Sequence, residues 1–335
     1  MALQRSSPFA RSTRTGLALL AALSFLAGAS PAVADDDGTE DLLRLIKKSR
    51  LVDLSHPWEI ESPIAGVNPP YAFELTATHE NTRGTFGDGG QLSFAGEVQH
   101  WSGQHGAPNI DAIGHIGRDG KLFGGLDAAA STSNPDGIGA SGVGAQLAID
   151  AFPTDLLVTR GVLLDVARMI QGDWRPLPDD FEVTAAHLEQ AAKRQRVRLK
   201  RGDTVFIRTG WGQHFQGDPA RYKGDFSPGP SLSGAEFLIK HGARIVGNDT
   251  LTFEKRPPLV FEPKFQVFPV HMRLITDSGI YIIENLNLEQ LAKSGADEFV
   301  VVVPPLKVKG GTGSALRAFA LVNEKRHGDR RDRDD

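Results

Sequence analysis

The spacing of apolar residues changes along the chain, and the changes predict an order of elements. In "GTEDLLRLIKKSR", Leu42, Leu43, Leu45 and Ile46 recur at helical intervals, and Lys47, Lys48 and Arg50 suit the negative end of a helix. "LVDLSHPW" follows as a short strand stopped by Pro57. Residues 59–98, rich in Gly, Pro and Thr, predict hairpins and loops around a pocket. Beyond them, unbroken apolar runs alternate with amphipathic stretches. "GVLLDVARM" (161–169) and "DTVFIRTGW" (203–211) read as buried strands. "TAAHLEQAAKRQRV" (184–197), opened by Thr184, and "SGAEFLIKHG", closed at Gly242, read as helices. "ARIVGND", "GIYIIENL", "EFVVVVPP" and "LRAFALV" continue the strand series. Strands alternating with helices, without a long linker or an internal repeat, predict a single α/β domain.

Composition refines this picture at the two ends. Residues 1–34 carry Arg5, Arg11 and Arg14 but no acid, then the apolar run "GLALLAALSFLAGAS" and Ala32-Val33-Ala34. That order predicts a secretory signal peptide cleaved after Ala34, and a periplasmic or secreted mature protein with no membrane span. The domain is expected over residues 35–325, followed by a solvated, disordered tail over 326–335 in which arginines alternate with aspartates. The net charge of −4 becomes more negative when the leader's arginines are removed, which disfavours nucleic acid as a partner. With no cysteine, the chain has no disulfide, and any metal site must use nitrogen and oxygen ligands. No Gly-x-Ser-x-Gly elbow occurs, and the Gly/Ser/Ala-rich stretch 124–144 lacks the Lys-Ser/Thr of a phosphate-binding loop.

The densest chemistry lies in "QHGAPNIDAIGHIG". His105, Asn109, Asp111 and His115 fall within eleven positions between Gly103 and Gly117. On one continuous helix the pairs 105/109 and 111/115 would face different ways, and Pro108 opposes such a helix. A turn leading into a short helix could gather all four on one cation. Each of them is also a common cap or turn residue, so spacing alone leaves both readings open.

The order of "RLVDLSHPW", "HGAPNIDAIGHIG", "VFIRTGW", "GNDTLTFE", "FPVHMRLITDSGIYIIENL" and "VPPLKVKGGTGSALRAFAL" resembles the cyclase family of metal-dependent hydrolases over roughly residues 50–322. The family signature is His-x-Gly-Thr-His-x-Asp, then three residues, then His. His105, Asp111 and His115 match it, whereas Asn109 stands where the family has its second histidine. The resemblance implies a swivelling β/β/α fold with a mixed sheet core and flanking helices. It also implies a divalent ion, Mn²⁺ or Zn²⁺, held by His105, Asn109, Asp111 and Glu284, with His115 as general base or proton shuttle and Glu284, as ligand or base, sharing the handling of protons. His271 is then a hydrogen-bonding neighbour of Glu284 that shares in catalysis. The implied reaction is hydrolysis of a cyclic amide, imide or lactone, or of a formamide, with a small-molecule substrate and a homodimeric or homotetrameric assembly. A binding protein of the same fold without turnover is the alternative, motivated by Asn109. Ser55-His56, at a shared strand end, reads equally as a contact to the site or as a turn, Asp249 and Arg317 read as turn or bracing residues, and Trp58, Trp101 and Trp211 as pocket or core.

Overall fold

Nine strands form one mixed sheet in the computed structural model, which describes residues 37–133, 142–143 and 146–323. They are β1 (Ser49–Asp53), β2 (Asn109–Asp111), β3 (Val158–Asp165), β4 (Thr204–Arg208), β5 (Ile245–Asn248), β6 (Tyr281–Glu284), β7 (Glu298–Val302), β8 (Gly313–Ala315) and β9 (Phe319–Asn323). Their order across the sheet is β1-β9-β7-β3-β4-β5-β6-β2-β8. The four central strands β3 to β6 run parallel, and the pairs outside them are antiparallel. The mixed α/β fold expected from the sequence is thus observed.

Parallel neighbours require crossovers, and the amphipathic segments supply them. Helix α1 (Val166–Gln171) leaves β3 through an Asp165 side-chain cap, and α2 (Ala185–Gln195) starts on a Thr184 cap reciprocated by His187. Helix α3 (Leu232–Lys240) starts on Ser231 and leads into β5. Both faces of the central strands are covered, which explains why their sequences are continuously apolar. Leu163, Phe206, Ile245 and Ile283 pack into one core layer, while Leu164, Val205, Val246 and Ile282 pack into the other with α2 and α3. A fully buried Arg208 at the end of β4 is held by Asp165 at 2.9 Å and by Glu289 at 2.8 Å, so its charge is neutralised inside the fold.

The hairpin expected over residues 59–98 is Ala72–Ala77 paired with Gly96–His100, which runs two residues past that stretch, and its apolar side chains Phe73, Leu75 and Val98 are exposed. Residues 1–44 group apart from 45–335, and of the former only the start of the helix Asp37–Lys48 is described. The predicted signal peptide and the 326–335 tail lie outside the described residues, as does most of the glycine-rich part of 124–144. No helix among the described residues is long and apolar enough to cross a membrane.

Candidate metal centre

Side-chain alternation decides which residues can meet at the edge of the parallel array. On β6, Tyr281 and Ile283 enter one core layer, and Ile282 and Glu284 face the other. On β2, Ile110 shares the layer of Ile283, so Asn109 and Asp111 share the face of Glu284. The antiparallel register sets Glu284 opposite Asn109 and Ile282 opposite Asp111. The site therefore sits at the carboxyl end of β6, where open α/β sheets commonly place their ligands.

His271 completes the group from the turn Pro269–His271, which runs directly into a π-helical turn, Met272–Thr276. Asp111, His271 and Glu284 each offer a ligand atom, all within 4.8 Å of one another. His271 Nε2 lies 3.2 Å from Glu284 Oε1 and 3.7 Å from Asp111 Oδ2. Its other ring nitrogen, Nδ1, contacts Glu254 Oε1 at 2.6 Å, and the backbone N–H groups of Val270 and His271 donate to the same carboxylate. Glu254 thereby fixes the ring so that Nε2 faces the cluster, the usual outer support of a metal-binding histidine.

The electrostatics match this arrangement. Burial disfavours a charged His271, but hydrogen bonds to Glu254 and Glu284 outweigh it and push its pKa up to about 10. In the metal-free chain an imidazolium thus stands among three carboxylates. Burial pushes Asp111 up to about 6, with the charge of Glu284 adding to the effect and those of His115 and His271 opposing it. Neither oxygen of Asp111 accepts a hydrogen bond from any described residue, although the side chain is 1% exposed. A buried carboxylate without donors calls for a cation.

His115 approaches from the mouth of the site, with Nε2 4.0 Å from Asp111 Oδ1 and the Gln104 amide 3.2 Å from Nδ1. Asn109 is buried in the site, with its Nδ2 donating to Glu284 Oε2 at 3.2 Å. His105 is not brought to the cluster. Its Nδ1 accepts from the Ser102 N–H at 2.9 Å and its Nε2 donates to the Pro69 carbonyl at 2.8 Å, so both ring nitrogens are taken by backbone. It stands between Trp58 and Tyr71, beside a separate cavity of about 1000 Å³ also lined by His56, Trp101 and Arg317. Trp211 is fully buried core, and Asp249 braces the turn after β4 through the N–H groups of Thr209 and Gly210. Glu254, unassigned from the sequence, closes the quoted motif "GNDTLTFE", yet it acts on a histidine 17 positions further on.

Three residues beside the cluster hold left-handed backbone: Phe253 (φ 50°), Phe268 (φ 53°) and Asn285 (φ 58°). For phenylalanine this costs about 1–3 kcal/mol per residue, and such strain concentrates at functional sites. It aims Glu254 and His271 from two loops at one point.

His56, on the wall of the larger cavity, stacks on Phe215 at 4.3 Å, and burial holds its pKa down to about 4. The folded chain keeps the ring neutral, while the unfolded chain protonates it below its ordinary value of 6.5. Stability from this residue is complete above that value and is lost as pH falls from 6.5 through about 4. The loss reaches about 3 kcal/mol at about 1.4 kcal/mol per pH unit. Urea unfolding across this window is expected to show a shallower acid limb in His56→Phe than in the wild type. Equal limbs would exclude His56 as the cause.

The cavity at the Asp111–His271–Glu284 cluster measures about 170 Å³ and is walled by Ile64, Ala65, Val67, Leu251 and Phe268. A dry cavity of about 150 Å³ accepts a benzene ring, so the scale suits a small ring compound.

The chain is similar to known proteins in both sequence and fold. The family model described as "Putative cyclase" matches residues 52–255, more than half of the chain. An isatin hydrolase of Roseibium aggregatum is 31% identical over 154 residues, which span 43% of this chain and 53% of that relative, about half its length. Among solved structures, a crystal structure of a novel cyclase superposes with a TM-score of 0.69 at 26% identity, covering 84% of this chain and 91% of that one. Isatin hydrolase A from Labrenzia aggregata, bound to benzyl benzoate, superposes with a TM-score of 0.63 at 23% identity, covering 86% of this chain and all of that one, a likeness of fold. The sheet order, the clustered carboxylates and histidine, and the matched family model lead to one conclusion: the chain belongs to the cyclase family.

Proposed function

We propose that this protein is a metal-dependent hydrolase that opens a small cyclic amide, imide or lactone, or cleaves a formamide. The observation that carries the reading is the buried Asp111 carboxylate, neither oxygen of which accepts a hydrogen bond, beside His271 Nε2 and Glu284 Oε1. Asp111, His271 and Glu284 would hold the ion. Two carboxylates and an imidazole form a borderline-hard donor set that suits Mn²⁺ or Zn²⁺. A divalent ion there supplies Lewis-acid chemistry, polarising a substrate carbonyl and acidifying water near neutral pH.

The remaining steps belong to the chain's own side chains. Glu254 holds the Nδ1 proton of His271, which keeps Nε2 directed at the cluster. The apolar wall from Ile64 to Val67, with Leu251 and Phe268, limits water around the reacting carbonyl. His115 presents Nε2 to the cavity, while the Gln104 amide lies 3.2 Å from Nδ1 and fixes the ring. As the water oxygen adds to the carbonyl carbon, His115 Nε2 takes a proton from the water and becomes an imidazolium. When the C–N or C–O bond breaks, the same Nε2 returns that proton to the departing nitrogen or oxygen, and the ring ends as it began.

The test is to load the purified chain with Mn²⁺ or Zn²⁺ and assay lactones, cyclic imides and formamides. Turnover is expected, and His115→Ala is expected to lower kcat by about 10²- to 10⁴-fold with metal content unchanged. Tight binding of such compounds without turnover under either metal would replace the hydrolase with a binding protein.

A further inference from the structure

Asn109 raises a question that the metal reading leaves open, because it occupies the family's histidine position yet presents its amide nitrogen to the site. The polarity of its surroundings sets that orientation. The Gly106 carbonyl can only accept, so the Asn285 atom 3.3 Å away is Nδ2. The same Nδ2 lies 2.7 Å from Asn109, which must therefore turn its oxygen toward it. Asn285 Oδ1 in turn accepts from the hydroxyl of Tyr222 at 2.9 Å. The remaining arm of Asn109, its NH₂, meets Glu284 Oε2 at 3.2 Å. Every donor in this series faces an acceptor, and the three residues from Tyr222 to Asn109 are at most 2% exposed.

We infer that Asn109 is a positioning residue and not a metal ligand. It is the last link of a relay, Tyr222–Asn285–Asn109, that holds one oxygen of Glu284 and leaves the other for the cation. An amide NH₂ has no lone pair to offer a cation, whereas it neutralises part of the charge on Oε2 and stops the carboxylate rotating. Oε1 is then the oxygen that faces His271. The left-handed backbone of Asn285 (φ 58°) belongs to the same arrangement, since it lets the residue directly after Glu284 turn back onto the strand opposite. Asparagine tolerates that conformation better than most residues. The inference rests on the metal reading of Asp111, His271 and Glu284.

The experiment is calorimetric titration of the full chain with Mn²⁺ alone, in wild type, Asn285→Gly and Tyr222→Phe, with the melting temperature of each metal-free chain measured alongside. Glycine accommodates the backbone at 285, and phenylalanine removes only the hydroxyl at 222. If Asn109 positions Glu284, Asn285→Gly weakens Mn²⁺ binding about 10- to 100-fold, the usual effect of losing an outer support. Tyr222→Phe weakens it in the same direction by roughly 3- to 10-fold, and it carries the test alone should Asn285→Gly fail to fold. If Asn109 instead binds metal through its oxygen, freeing that oxygen leaves affinity unchanged or tighter, which overturns the inference. A lowered melting temperature with unchanged Mn²⁺ affinity also overturns it, because the relay would then be structural only. A wild-type chain that takes up neither Mn²⁺ nor Zn²⁺ overturns the metal reading itself, and the positioning role with it.

Discussion

Asp111→Asn is expected to abolish metal uptake and at the same time to stabilise the metal-free chain. The two effects have one origin. Asp111 is 1% exposed, neither oxygen receives a hydrogen bond, and Glu284 adds a second negative charge close by. Without a cation, that buried charge is a cost of about 1–3 kcal/mol, and an amide of the same shape removes it. With a cation, the same charge becomes a ligand that the amide replaces poorly. Metal affinity is expected to fall by at least about 100-fold, more than the loss of an outer support would cause. Elemental analysis and melting curves with and without Mn²⁺ check both halves. A variant that keeps a stoichiometric ion would remove Asp111 from the ligand set, and one that melts lower without metal would show that its charge is compensated by other means.

Glu254→Gln is the second large effect expected. Glu254 Oε1 meets Nδ1 of His271 and also accepts from its backbone N–H, while Oε2 accepts from the Val270 N–H. All three are satisfied only by a group that accepts on both arms. Glutamine turns an NH₂ onto at least one donor, leaving buried N–H groups opposed at about 1–3 kcal/mol. It also withdraws the anion that aligns the imidazole, so metal affinity should drop by about 10- to 100-fold. Titration with Mn²⁺ reads the affinity, and urea unfolding reads the stability. Unchanged affinity together with lowered stability would assign Glu254 to the fold alone.

How legible these residues were in the sequence varied with the range of the forces that place them. The central strands could be read because each is covered on both faces, so Val162–Leu164, Val205–Ile207 and Ile282–Ile283 had to be unbroken apolar runs. Asp111 stood out through the polar residues clustered around it, and Glu284 through the resemblance to the family. His105 looked equivalent to His115 in its local string. It is drawn aside by the Pro69 carbonyl, 36 positions earlier, and nothing around residue 105 announces that contact. Glu254 escaped attention for the same reason, since its partner His271 arrives from a different loop.

The alternation of side chains along Tyr281–Glu284 was determined by the sequence alone, because a strand's period of two puts Ile282 with Glu284 whatever lies around them. Asn109–Asp111 is a strand, not the turn and short helix its local string suggested, because it pairs with a strand on each side. Only the tertiary structure decided that the two strands are neighbours in the register that sets Glu284 against Asn109. It also decided which arm of the Asn109 amide meets the carboxylate, because Gly106 and Tyr222 impose that choice through Asn285. Period is a local property of the backbone, whereas the polarity of a buried hydrogen-bond chain is set at its far end.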